Sequence, residues 1–115
     1  MFCAFDGPAN IVRLFGQGRT ILPMDAEWAE LSPLFPEYIN TRQIIVADID
    51  IVQTSCGYAV PFMDFVSDRD TLIRWAENQT EEKLEAYKRE KNVESIDCLP
   101  TRLGTAFKQE TATGD

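Results

Sequence analysis

Residues 43–63 read QIIVADIDIVQTSCGYAVPFM, an apolar run that ends abruptly in a polar turn. The run is rich in β-branched residues, which pack well on a pleated sheet, and helical spacing does not explain it better. We therefore predict a strand that begins near Ile44. After it, Thr54 to Tyr58 offer hydroxyls, a thiol and a glycine, and Pro61 prevents further strand pairing. Loops held by a rigid strand often carry binding residues, so this turn is the first candidate site.

Length and charge limit the function classes. The 115 residues suffice for one domain with a hydrophobic core. A net charge of −8 argues against nucleic-acid binding, because nucleic-acid modules carry a basic face. The sequence has neither an apolar run long enough to span a bilayer nor a secretory signal pattern, so we expect a cytoplasmic protein.

Cysteine and histidine usage narrows the chemistry. Cys3, Cys56 and Cys98 are odd in number and widely spaced, so neither a disulfide framework nor a zinc knuckle is indicated. Histidine is absent, which removes Ser-His-Asp and Cys-His nucleophile systems and most catalytic zinc sites. Any chemistry must therefore come from carboxylates, arginines or a bound cofactor.

The first third of the chain predicts a hairpin. An apolar run at residues 1–5 is followed by a turn and by a returning strand from Ile11 to Leu22. Gly16 and Gly18 within that strand indicate a bulge or a close backbone approach. Asp25 is then placed to cap a short helix.

The second half predicts helices and a tail. Ser67 or Asp68 is expected to cap one helix, and Asn78 has the capping-box spacing for a second helix that carries the charged run at residues 81–90. We expect one domain over residues 1–103 and a disordered tail over residues 104–115, where the composition is small and polar. The expected fold class is α+β, mainly β.

Two carboxylates interrupt the central apolar run. Asp48 and Asp50 alternate with isoleucines, so they lie on the same face of the predicted strand. Such a pair can bind a divalent ion, which leaves a metal-dependent enzyme as a weak alternative. On a half-exposed strand the pattern usually marks the solvated face, and we favour that interpretation.

Several stretches, taken in order, resemble one known family. They are FCAFDGP at residues 2–8, IVRLFGQGR at 11–19, SCGYAVPFMDF at 55–65, RDTLIRWAE at 69–77, AYKREKN at 86–92 and SIDCLP at 95–100. Over residues 1–103 the chain is similar to the carboxy-terminal portion of the pyridoxamine 5'-phosphate oxidase-like family, the small flavin-binding split-barrel proteins. The order and spacing of the stretches are more specific than any single motif.

This resemblance implies an antiparallel split β-barrel with flanking helices, of which the chain holds part. It also implies a homodimer that binds flavin mononucleotide (FMN) in clefts between subunits. The flavin performs hydride or electron transfer in such enzymes, and the protein supplies binding and orientation. No motif assigns the substrate. Family members carry barrel strands that have no counterpart before Met1, so we expect a fragment.

By position in the family pattern, the expected FMN-binding residues are Arg13, Ser55, Cys56, Gly57 and Tyr58. Each also has a purely structural interpretation. Arg13 fits a surface or ion-paired arginine, Cys56 a small buried apolar residue, and Tyr58 a ring packed under the barrel. Ser55 and Gly57 fit simple turn residues.

Weaker expectations concern Arg19 and the loop at residues 95–100, in which Cys98 stands where the family pattern has glycine. The alternative to an FMN-dependent oxidoreductase is a non-catalytic remnant. Such a remnant keeps part of the barrel, binds no cofactor and dimerises through exposed strand edges.

Overall fold

The computed structural model describes residues 1–112, which contain one three-stranded antiparallel sheet. The strands are β1 (Phe2–Cys3), β2 (Ile11–Ile21) and β3 (Ile44–Ser55), and they lie side by side in that order. Phe2 lies opposite Val12 in the β1–β2 pair. The antiparallel sheet and the helices together confirm the α+β class. Because the sheet is not closed, a split barrel is not observed.

One short helix lies between β2 and β3, and three longer helices follow β3. They are α1 (Trp28–Leu31), which continues as a 3-10 turn (Ser32–Leu34), then α2 (Thr71–Glu77), α3 (Glu81–Lys91) and α4 (Arg102–Ala112). Helical residues outnumber strand residues in the described chain, so the expectation of a mainly β structure is corrected. None of these helices combines the length and the apolar composition needed to cross a membrane.

The chain forms two compact units. The sheet unit consists of residues 1–19 and 45–69, and the helical unit consists of residues 20–44 together with the described chain from residue 70 onward. The expectation of one domain over residues 1–103 stays a prediction.

Gly16 allows β2 and β3 to approach each other closely. A Cβ atom at Gly16 would lie 2.0 Å from the carbonyl oxygen of Asp48, a distance that no real side chain tolerates. At Gly18 the same atom would meet nothing within 4 Å. The predicted close approach is therefore found at Gly16 and not at Gly18.

The core of the helical unit is built on α4. Leu22, Leu103 and Phe107 form a buried cluster, against which Val93 and Ala106 pack. Leu103 and Phe107 are four residues apart, so they lie on the same helix face. Their burial gives α4 an apolar contact that helps to offset the entropy of ordering it.

Residues 104–112, where a disordered tail is expected, belong to α4 in the structure. Thr101 supports the start of this helix, because its hydroxyl oxygen accepts from the Gly104 N–H at 2.9 Å. Gly104 also permits close packing, since a Cβ there would lie 2.3 Å from the Val93 carbonyl oxygen. The remainder of the expected tail, residues 113–115, lies outside the described residues.

Helix capping differs from the sequence expectation. Thr80, and not Asn78, caps α3 by accepting from the Lys83 N–H at 3.4 Å. Asp70, and not Ser67 or Asp68, occupies the N-cap position of α2. Local spacing placed both helices to within a few residues, but it did not identify the capping side chains.

Asp25 anchors α4 instead of capping α1. Arg102 donates two hydrogen bonds to its carboxylate, at 2.6 and 2.7 Å, and the Leu22 N–H donates a third at 2.6 Å. The hydrogen bonds from Arg102 and then from Leu22 hold the pKa of Asp25 below its ordinary value. The expectation that Asp25 caps a helix is therefore corrected. Its carboxylate instead accepts hydrogen bonds from Arg102, which is 77 residues away in the sequence.

The Gly16 contact predicts unequal effects of two glycine substitutions. We expect Gly16→Ala to lower the free energy of unfolding by about 1–3 kcal/mol, because the new methyl group forces β2 away from β3. Gly18→Ala, with open space around it, should change stability by less than about 0.5 kcal/mol. Urea unfolding followed by circular dichroism measures both. Equal midpoints for the two variants would contradict the assigned contact.

The Asp25–Arg102 pair predicts a pH-dependent stability. Because the folded-state pKa of Asp25 is lowered, its contribution is fully present above the pKa of the unfolded chain and is lost as pH falls through the folded pKa. Below about pH 4, the wild type should therefore lose stability more steeply than Asp25→Asn. Urea midpoints measured across a pH series test this. Asp70→Asn, which breaks an exposed pair within one helix, serves as the control and should keep the wild-type slope.

Candidate functional site

Two of the five expected residues meet in the sheet unit. Arg13 lies near the start of β2, and Ser55 is the last residue of β3. The Nη1 group of Arg13 donates a hydrogen bond of 2.8 Å to the Ser55 Oγ, and both side chains are half-buried. Strand pairing thus joins residues that are 42 positions apart in the sequence.

Gly57 fixes the turn that follows β3. It is buried, and a Cβ atom there would lie 2.7 Å from the backbone nitrogen of Asn10. The Val60 N–H closes the turn by donating to the Gly57 carbonyl at 2.8 Å. Only glycine allows the turn to pack this closely on the segment that leads into β2.

Cys56 and Tyr58 take no part in the Arg13–Ser55 contact. Cys56 is exposed, and Tyr58 is 87% exposed. The structural interpretations of both residues are therefore wrong: the thiol is not a small core residue, and the tyrosine ring is not packed under a barrel. Their place in an FMN site stays a prediction.

The Arg13–Ser55 pair is suited to hold an acceptor group. A guanidinium has five N–H donors in a planar fork and fits carboxylate, phosphate or carbonyl oxygens. The bond to Ser55 fixes the direction of that fork, which lowers the entropy cost of binding. The pair can therefore bind and orient an anionic or oxygen-rich ligand, but on its own it supplies no nucleophile.

The weak metal hypothesis gains no support from the structure. The Nε atom of Arg19 lies 3.9 Å from a carboxylate oxygen of Asp48, so that carboxylate is turned toward a cation. Within residues 1–112, no group of three or more His, Cys, Asp and Glu side chains could hold a metal ion. Asp48 and Asp50 alone would leave most of a divalent ion's coordination positions to water.

The loop at residues 95–100 belongs to the helical unit, whereas Arg13 and Ser55 belong to the sheet unit. The Ser95 hydroxyl organises the loop by donating to Asp97 at 2.5 Å and accepting from the Leu99 N–H at 3.1 Å. The bond from Ser95 lowers the pKa of Asp97. Cys98 has a φ angle of 60°, which explains the glycine expected at this position.

Two features were missed by the sequence reasoning. One is Asn10, whose backbone packs against Gly57; the polar turn before β2 was its only signal. The other is a pocket of about 480 Å³ in the helical unit, lined by Tyr38, Asn40, Thr41, Gln79, Glu81 and Lys88, among others. Asn40 has a φ angle of 66°, and its buried Oδ1 atom has no hydrogen-bond partner among the described residues.

A comparison with curated proteins finds a relative in Aspergillus flavus, the pyridoxamine 5'-phosphate oxidase family protein ustO. The two sequences are 32% identical over an alignment 122 positions long, which covers 87% of this chain and 46% of the relative. This similarity supports the resemblance of the chain to the pyridoxamine 5'-phosphate oxidase family. The chain spans about half the length of the curated relative it matches. No family model matches the chain, and no solved structure matches it significantly.

The Arg13–Ser55 contact can be measured by a double-mutant cycle. We expect Arg13→Met and Ser55→Ala to be coupled by about 0.5–1.5 kcal/mol in the free energy of unfolding, the net value of one hydrogen bond. Thr54→Ala replaces Ser55→Ala in the control cycle, since neighbouring side chains of a strand point to opposite faces. Urea unfolding of the single and double variants gives the coupling. Additive effects of Arg13→Met and Ser55→Ala would show that the contact contributes nothing.

Proposed function

We propose that the chain is part of an FMN-dependent oxidoreductase of the pyridoxamine 5'-phosphate oxidase family. The observation that carries the proposal is the Arg13–Ser55 hydrogen bond at the paired ends of β2 and β3. These are two residues that the family resemblance assigns to the cofactor. The similarity to ustO adds support for the family.

The chemistry of these side chains fits one part of FMN. The flavin ring carries carbonyl oxygens and ring nitrogens that accept hydrogen bonds, and the phosphate carries charged oxygens. Arg13 would donate to such acceptors, and Ser55 would keep the guanidinium in place. When bound, FMN supplies hydride or electron transfer, and charge beside its ring tunes that chemistry.

Closing the site requires more than these two side chains. The sheet is open, and Cys56 and Tyr58 are exposed at its end. Since the family resemblance implies FMN in clefts between subunits, we assign the remaining contacts to a second subunit. The homodimer, the cytoplasmic location and the substrate-specific chemistry stay predictions.

The second candidate is a non-catalytic remnant that dimerises without a cofactor. The open sheet favours it, because three strands without a closed barrel leave apolar side chains and strand edges uncovered. The two candidates differ in one measurable property, which is FMN affinity.

FMN titration of the purified chain separates the candidates. Quenching of flavin fluorescence should report binding by the wild type. We expect Arg13→Met to weaken binding at least tenfold, as about 1.4 kcal/mol of lost charge-assisted hydrogen bonding would do. Arg69→Met is the matched control, because Arg69 is an exposed arginine of the same unit, and it should bind as the wild type does.

Two results would overturn the proposal. One is the absence of FMN binding by the folded wild-type chain, which would favour the remnant. The other is equal affinity of the wild type and Arg13→Met, which would place any bound flavin away from the Arg13–Ser55 pair.

A further inference from the structure

The pocket of the helical unit is separate from the candidate FMN site. All the residues that line it belong to the helical unit, whereas Arg13 and Ser55 belong to the sheet unit. Its volume of about 480 Å³ lies within the range of small-molecule sites, which is about 300–1,000 Å³. The pocket therefore has the size to hold a small ligand of its own.

Three segments of the chain contribute to this pocket. One is the turn at residues 38–41, in which the Thr41 hydroxyl donates to the Tyr38 carbonyl at 2.8 Å. The second is the end of α2 with Gln79, and the third is α3. The α3 residues are spaced three or four apart, so they share one helix face: Glu81, Leu84, Glu85 and Lys88. Part of the charged run of α3 therefore faces a concave surface.

Carboxylates dominate the charge of the pocket. Three glutamates and one lysine line it. The ammonium nitrogen of Lys88 lies 3.5 Å from one carboxylate oxygen of Glu85, and Nη2 of Arg89 lies 3.6 Å from the other. Glu77 and Glu81 form no ion pair within the part of the chain that the structure describes. The pocket therefore offers two carboxylates to a positively charged ligand.

Neighbouring positive groups do not reverse this charge. The positive end of the α3 dipole is met by Glu81 and Glu82 in the first turn of the helix. Arg42 follows the turn at residues 38–41, but its guanidinium lies over the Tyr87 ring, 5.9 Å from the ring centre, and it does not line the pocket. An anionic ligand would meet like charges, whereas a cationic ligand is attracted.

The pocket also has an apolar part. Ala76 and Leu84 line it and are only 4% and 9% exposed. Tyr38 and Ile39 line it as well, and about half of each side chain is exposed. Small-molecule sites combine such apolar surface with a few polar groups that fix the orientation of the ligand. A ligand that matches both parts carries a positive charge on a compact hydrocarbon body.

Asn40 adds an acceptor to the lining. Its Oδ1 atom is buried and has no hydrogen-bond partner among the described residues. A buried acceptor without a partner is destabilising, and an N–H donor that reaches it removes part of that cost. An ammonium group has three N–H donors and no acceptor, so it suits the carboxylates and this amide oxygen alike.

We propose that this pocket binds a small organic amine. The protonated amino group lies at Glu77 and Glu81, and the hydrocarbon body of the ligand lies against Ala76 and Leu84. Amine binding and the proposed function are independent, because they use different units of the chain. A chain that binds FMN but no amine contradicts the amine site alone, whereas a chain that binds an amine but no FMN contradicts the proposed function alone.

Three ligands with one aromatic body test the charge preference on the wild-type chain. At neutral pH phenethylamine is a cation, phenethyl alcohol is uncharged and hydrocinnamate is an anion. NMR titration of the isotope-labelled chain without FMN gives the three affinities. We expect the amine to bind about tenfold more tightly than the alcohol, and the anion to bind more weakly than both. Equal binding of amine and alcohol, tighter binding of the anion, or no binding of the amine would overturn the proposal.

Two double variants test the carboxylates. Glu77→Gln combined with Glu81→Gln should weaken phenethylamine binding about tenfold and leave phenethyl alcohol binding unchanged. Glu82→Gln combined with Glu90→Gln is the matched control, because it removes two carboxylates of α3 that do not line the pocket. This control should bind the amine as the wild type does. An equal loss in both double variants would assign the effect to overall charge and contradict the site.

The same titration locates the ligand without any substitution. We expect the largest amide shift changes at residues 38–41, at residues 76–79 and on the pocket face of α3. Shift changes that are largest in the sheet unit would place the amine elsewhere and overturn the proposal.

Discussion

The close pairing of β2 with β3 is the constraint on which the sheet unit depends. At Gly16 the two backbones approach so closely that a methyl group has no space beside the Asp48 carbonyl. This pairing sets the register that brings Arg13 to Ser55. The same geometry repeats at Gly57, where the turn after β3 packs on Asn10. The candidate site is therefore a consequence of two glycines that allow backbones to touch.

The helical unit is organised by a different interaction. Its apolar cluster is small, and α4 contributes both Leu103 and Phe107 to it. The adjacent Arg102 forms a bidentate ion pair with Asp25. One turn of α4 therefore supplies both apolar burial and an ion pair. Arg89 of α3 makes two further contacts with α4. Its guanidinium carbon lies 4.1 Å from the centre of the Phe107 ring, and its Nη2 atom lies 2.9 Å from a carboxylate oxygen of Glu110. Without α4 the cluster loses most of its members.

The sequence correctly predicted the features that depend on residues close together in the chain. β-branched runs identified β2 and β3, and the spacing of Gly16 within a strand indicated the close approach. The features it missed depend on distant partners. The composition of residues 104–112 is largely polar, and the apolar partner of Phe107 in the cluster, Leu22, is far away in the sequence. Asp25 has the residue type of a cap, yet a guanidinium 77 residues away determines its role. Similarly, only the family resemblance grouped Arg13 with Ser55, because no spacing rule relates residues on two strands.

Burial links the candidate site to the uncovered sheet. Arg13 is half-buried in a unit whose apolar side chains face water, so solvent screens any charge interaction that it makes. Covering the sheet with apolar groups lowers the effective dielectric constant around the guanidinium and strengthens its bond to an anionic ligand. By linkage, a ligand that binds more tightly to the covered state must also stabilise that state. Any apolar group that covers the sheet and an anion that binds at Arg13 should therefore favour each other's binding.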